Sequence, residues 1–196
     1  MQIHQYQVTT EDHAVAKWAA LAIALHVLEA IVPSPLPGVK PGIANIVVLL
    51  VLSQYGLRAA IWVSVLRVFA SSLLLGQFLS PTFVLSLTGA LCSLLVLSVS
   101  VHLPKRYFSV VSLSVLAAFG HVIGQLCVVR LWLIPHNGIG YLIPIFMTAA
   151  LFFGVMNGML VAYLQERFAK NTAEIKYIYS EVKKMRHIKE TKCNSE

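Results

Sequence analysis

The chain has 196 residues, 58% of them hydrophobic and 12% charged, with a formal net charge of +7 and a mean hydropathy of +0.77. A soluble fold of this length cannot bury so much apolar surface, so the composition excludes a soluble globular protein and points to an integral membrane protein built from helices. The basic balance does not signal nucleic-acid binding, because no basic face interleaved with stacking aromatics stands outside the apolar runs.

A cytoplasmic segment, 1–13, precedes the first apolar run. Six membrane-spanning helices are expected, at 14–32, 42–57, 58–79, 81–103, 107–134 and 139–165. Most are near the roughly 20 residues that a helix needs to cross about 30 Å of hydrocarbon. Glu11 and Asp12 stand ahead of the first run and no small-residue cleavage site follows it, so a cleaved signal peptide is not expected. Within the first span, Ala16, Ala20 and Ala24 recur every fourth residue and leave a smooth stripe near the cytoplasmic half, against which a second membrane subunit can press. Glu29, near the outer end, is the only acidic side chain in any span.

Pro33, Pro35, Pro37 and Pro41 separate the first two spans, and Lys40 sits there between Gly38 and Gly42, where backbone can approach a bound molecule closely. The second span is short and carries Asn45; a brief or broken helix is tolerated where it lines a protein cavity instead of touching lipid. Gln54 and Gly56 mark its end. The third span holds Arg67 near its centre, with Ser64 and Ser71 on the same face, and Gln77 toward its outer end. A charge at mid-helix costs on the order of 2.5–3.5 kcal/mol in lipid, so Arg67 should look inward to a polar cavity or a carboxylate.

Ser80 and Pro81 open the fourth span, which offers Ser86, Gly89, Ala90 and Ser93 as small packing residues. In the fifth, His121 and Gln125 lie one turn apart among Ala117, Ala118 and Gly124, and Arg130 sits near the outer end. The sixth holds Gly154 and Gly158 in GxxxG spacing, with Asn157 beside them. Residues 166–196 form a basic cytoplasmic tail in which Ile175, Ile178, Val182, Met185 and Ile188 follow helical spacing. An amphipathic basic helix on an anionic leaflet fits this pattern, as does a short docking helix for a cytoplasmic partner.

Twelve of the basic residues fall on the side of the termini against Lys40 and Arg130 on the other, so both termini are expected in the cytoplasm. Cys92, Cys127 and Cys193 make neither a disulfide frame nor a CxxC site, and the seven histidines show no HxxxH or HExxH pairing. Neither a metal nor a cofactor is expected. The polar groups of the spans, Glu29, Asn45, Arg67, Gln77, His121, Gln125 and Arg130 with Lys40 of the loop, are candidate substrate-binding residues around one outward-facing pocket. Blander roles stand beside this one: an Arg67–Glu29 ion pair fixing helix register, a His121–Gln125 interhelical clamp, a snorkelling Arg130, a solvated Lys40, and internal packing by the small residues of the fourth and sixth spans.

The run LPGVKPGIANI at 36–46 resembles the LPG-x-K-x-G-x-AN signature of the Gx transporter family, whose members are often catalogued as heptaprenyl diphosphate synthase component I. Similarity continues through Leu66-Arg-Val68, Ser72 to Gly76, Phe78 to Pro81, Ser86 to Leu91 and His121 to Leu126, covering most of residues 20–165. That family is similar to the substrate-binding S-components of energy-coupling factor transporters. The resemblance implies a six-helix domain in the bacterial cytoplasmic membrane with a pocket for a small vitamin- or cofactor-like molecule. It also implies a transmembrane coupling subunit driven by ATPases, which would dock on Ala16, Ala20 and Ala24. The chain has no P-loop of its own.

Chemistry argues against catalysis by this chain alone. Prenyl diphosphate synthesis needs clustered aspartates to hold Mg²⁺ on a diphosphate, and the sequence contains one aspartate, Asp12. The expectation is therefore a non-enzymatic membrane carrier or binding protein for a small molecule. An anionic one is favoured, since Lys40, Arg67 and Arg130 outnumber Glu29. The alternative is a non-catalytic membrane accessory subunit for a polyprenyl diphosphate synthase or a quinone-related pathway.

Overall fold

The computed structural model describes residues 10–31, 42–101, 109–133 and 137–193. Lys40, the prolines of 33–41, the boundary at 104–106 and the Pro135-His136 turn lie outside the described residues. The chain divides into two units, Met1–Val161 and Ala162–Glu196.

Every described regular element is helical. In chain order they are α1 (Thr10–Ile31), α2 (Ile43–Leu74), α3 (Pro81–Val101), α4 (Val110–Val128) with a π-helical turn at Val129–Leu133, a 3-10 segment (Asn137–Leu142) and α5 (Ile143–Cys193). Among the described residues, five helices are long and apolar enough to cross a membrane. Large apolar side chains such as Trp62, Leu74, Leu95 and Leu131 remain exposed, as lipid-facing surface requires. The protein is a helical membrane protein.

Element ends follow local chemistry. α1 begins at Thr10, ahead of the expected start at 14, with Glu11 and Asp12 in its first turn where the helix dipole favours negative charge. α4 begins where Ser109 caps it, its Oγ accepting from Ser112 N–H at 3.2 Å. α5 runs to Cys193 as one helix, so the separate tail helix expected from 166 onward is not a distinct element.

The second and third expected spans fall within α2, with Gly56 non-helical between them (φ 83, ψ −178). In a straight helix, the 22 positions separating Asn45 from Arg67 would put their backbones about 33 Å apart. Their side chains are instead hydrogen-bonded at 2.9 Å. α2 is therefore a hairpin folded at Gly56, with arms 43–55 and 57–74. Val47, Val48 and Val51 of one arm and Ala60 and Val63 of the other share a buried cluster with Ala19 and Ala22 of α1 and Leu94 of α3.

The second arm stops at Leu74, short of the expected 79, because Gly76 takes φ 65. Gly76 N–H donates to Leu73 O at 3.2 Å and Gln77 N–H to Ser72 O at 2.8 Å, closing a Schellman cap. Phe69, Phe78 and Phe83 stack across this turn with ring centroids 5.2 to 6.3 Å apart, fixing it between α2 and α3.

Small residues set the closest helix approaches. A Cβ on Gly158 would come 2.7 Å from Val111 Cα, and one on Gly154 would come 3.0 Å from Val115 Cα, so the GxxxG face of α5 lies directly on α4. Gly120 and Gly124 of α4 meet Val96 and Cys92 of α3 in the same way. These stripes serve internal packing.

Candidate functional site

A cavity of about 480 Å³ lies within the first unit, a size within the range of small-molecule sites. Six of the expected residues line it: Glu29 from α1, Asn45 and Arg67 from the two arms of α2, Gln77 from the turn, and His121 and Gln125 from α4. Gln77 and Thr82 are exposed, whereas Arg67 and Glu29 are buried, 3% and 7% accessible, so the cavity runs from an open rim to a charged interior. Leu85, Val122, Phe146 and Phe153 supply an apolar wall opposite these groups in chemistry.

Gly42 organises the interior. It caps α2 in the left-handed region (φ 69, ψ 32), and its N–H donates to Glu29 Oε1. Its carbonyl accepts from Asn157 Nδ2 at 3.3 Å and from Asn45 N–H at 2.9 Å. One residue, through its N–H and its carbonyl, thus ties α1, α2 and α5 together. Glu29 thereby rests at the positive end of a helix, where the unsatisfied N–H groups offset a carboxylate's charge.

Arg67 Nη1 donates to Asn45 Oδ1 at 2.9 Å, and Arg67 Nε is buried with no hydrogen-bond partner. The Arg67–Glu29 pairing weighed from sequence is present only as attraction through space; among the described residues no close ion pair joins them. Below Arg67 the helix is stitched by Ser71 Oγ donating to Arg67 O at 2.6 Å. His121 lies against α3: a Cβ on Gly89 would stand 2.7 to 2.9 Å from its ring atoms, and its Nδ1 is buried without a partner. Gly89, expected as a helix-packing residue, provides the space for the His121 ring.

Two expected residues are not brought to this cavity by the described structure. Arg130 sits on the exposed π turn and does not line it, and Lys40 lies outside the described residues. The expected excess of cations over Glu29 is therefore not found at the described walls, where Arg67 is the only Lys or Arg. Ala16, Ala20 and Ala24 are exposed on α1, while Ala19 and Ala22 face the core. Among the described residues, no group of three or more His, Cys, Asp or Glu is placed to hold a metal ion.

A family model described as Heptaprenyl diphosphate synthase component I matches residues 18–164. The chain belongs to that family. All the cavity-lining residues, from His26 to Asn157, fall inside the match, and the tail beyond Leu164 falls outside it. Comparison with curated proteins and with solved structures found no match.

The sequence did not place His26, Thr82, Ser86, Asn157, Phe146 or Phe153 in the site, yet all line the cavity. His26 had a usable signal, since it stands three residues before Glu29 and so shares its helix face. Asn157 was visible as an amide within a span. The two phenylalanines had none, because an apolar ring in a membrane helix looks the same facing lipid or a cavity.

Proposed function

We propose that this protein is a membrane binding protein for a small vitamin- or cofactor-like molecule, acting as an S-component-like carrier in the bacterial cytoplasmic membrane. The observation that carries the reading is the gathering of polar side chains from all five helices around one cavity inside an apolar bundle. A polar group in lipid needs a reason, and a scaffold gains nothing from gathering Glu29, Arg67, His121 and Gln125 around open space. The two arms of α2 count as separate crossings, making six with both termini cytoplasmic. Arm 43–55 is only about 20 Å long, as a cavity-lining half-length segment is. The exposed Ala16, Ala20 and Ala24 offer a docking face to a transmembrane coupling subunit, with energy supplied by partner ATPases. The basic tail serves the cytoplasmic leaflet.

Arg67→Ala should abolish ligand binding and uptake in reconstituted vesicles while leaving helical content and the monodisperse elution of the purified protein intact. Loss of folding in place of binding would assign Arg67 to structure and remove the carrier's main contact.

The family name supports a second reading, a non-catalytic accessory subunit that holds a soluble prenyltransferase at the membrane. With one aspartate, Asp12, the chain lacks the cluster needed to bind Mg²⁺ and diphosphate, so catalysis would belong to the partner. Co-purification of a prenyltransferase with no saturable uptake would select this reading; saturable uptake without such a partner selects the carrier.

A further inference from the structure

We infer that the cavity recognises its ligand through an oxyanion held on Arg67, with His121 as the second contact; the inference rests on the small-molecule reading above. The charge balance of the interior carries it. Glu29 is engaged by Gly42 N–H at the start of α2, and the positive helix end offsets part of its charge. Among the described residues, the Arg67 side chain has only the neutral amide of Asn45 as a hydrogen-bond partner. A guanidinium carries five N–H groups, and one of them, Nη1, is used. The interior is thus left with an under-compensated cation, 3% accessible, on the cavity wall.

Two buried side-chain atoms without partners among the described residues, Arg67 Nε and His121 Nδ1, belong to residues of this same cavity. Leaving a charged donor unsatisfied in a buried site costs more than leaving a neutral one. If holding Asn45 were its whole role, a neutral donor would serve at lower desolvation cost. A group with two oxygens meets the edge of a guanidinium through parallel N–H···O bonds, which a point cation or a neutral amide cannot match. An oxygen of the same group would select the His121 tautomer protonated at Nδ1. Phe146, Phe153, Leu85 and Val122 then receive the apolar remainder of the ligand, so the class is a carboxylate or phosphate ester on an apolar or aromatic body.

The test is the thermal unfolding of the full-length protein in detergent, titrated with benzoate, phenyl phosphate, benzamide and benzylamine. Benzoate, phenyl phosphate or both should raise the midpoint saturably, the stronger of the two naming the planar or the tetrahedral oxyanion, while benzamide and benzylamine leave it unchanged. Arg67→Gln should remove the shift. Arg67→Lys, which keeps the charge and guards against a folding failure of the first variant, should weaken it on the order of tenfold through loss of the paired geometry. A saturable benzamide or benzylamine shift equal to that of benzoate would overturn the oxyanion while leaving a small-molecule cavity. An oxyanion shift that survives Arg67→Gln would overturn the assignment to this site. If none of the probes saturates, the oxyanion falls, and the uptake and pull-down experiment decides the cavity reading separately.

Discussion

Gly89 and His121 illustrate how a single missing methyl group sets the site. The imidazole occupies the volume that a Cβ at position 89 would need, and the nearest ring atom would be 2.7 Å away. Gly89→Ala should therefore lower the unfolding midpoint by an amount equivalent to about 1–3 kcal/mol of overpacking. His121→Ala added to it should restore most of the loss, because the clash partner is gone; a double-mutant cycle measured by denaturant titration reads this coupling directly. A Gly89→Ala protein as stable as the wild type would place the ring elsewhere. Asn45 and Gly42 act at the same scale, the first holding the guanidinium and the second letting two helices and one carboxylate meet at a single residue.

The hairpin of α2 depends on its turn at Gly56. That residue has nothing within 4 Å of a built Cβ, so space is not the constraint; its backbone, at φ 83 and ψ −178, is nearly closed to any residue with a side chain. Gly56→Ala is expected to cost about 1–3 kcal/mol of stability through backbone strain alone. Gly140→Ala is the control, since Gly140 also has open space around it and has no positive φ, and it should stay within about 0.5 kcal/mol of the wild type. Equal stability of the two variants would show that the turn does not need its glycine. The same logic of close approach applies between α4 and α5. There Gly158 faces the Val111 backbone, which cannot move aside as a flexible side chain can.

Parity decides the organisation of the whole molecule. Because α2 folds back at Gly56, it adds two crossings, making six, or none, and either way the termini share a face; only an α2 that ran straight would cross once, giving five crossings and termini on opposite faces. With Cys92 and Cys127 replaced by serine, Cys193 is the only thiol. A membrane-impermeant maleimide should label it only from the cytoplasmic side, where a reporter fused before Met1 should also be found. Labels on opposite sides would end the six-crossing reading. The basic residues make the same demand, because twelve of them stand on the side of the termini.

Much of this was legible in the chain itself. Apolar length alone sets the helical membrane class, and Gly56 and the Ser80-Pro81 step mark real boundaries because turn and cap geometry is local, whereas the stop at Gly76 went unread. Arg67, Glu29, His121 and Gln125 stood out because ionisable and amide groups are costly in lipid wherever they occur. Tertiary structure decided how those groups pair. The sequence cannot show that Glu29 would go to the Gly42 peptide and Arg67 to Asn45, since both are contacts between segments 13 and 22 positions apart whose approach depends on how the helices pack. It likewise left Arg130 grouped with the site and hid Phe146 and Phe153 among lipid-facing neighbours. Hydrophobicity dictates that a residue enters the membrane, but only close packing dictates which way it then faces.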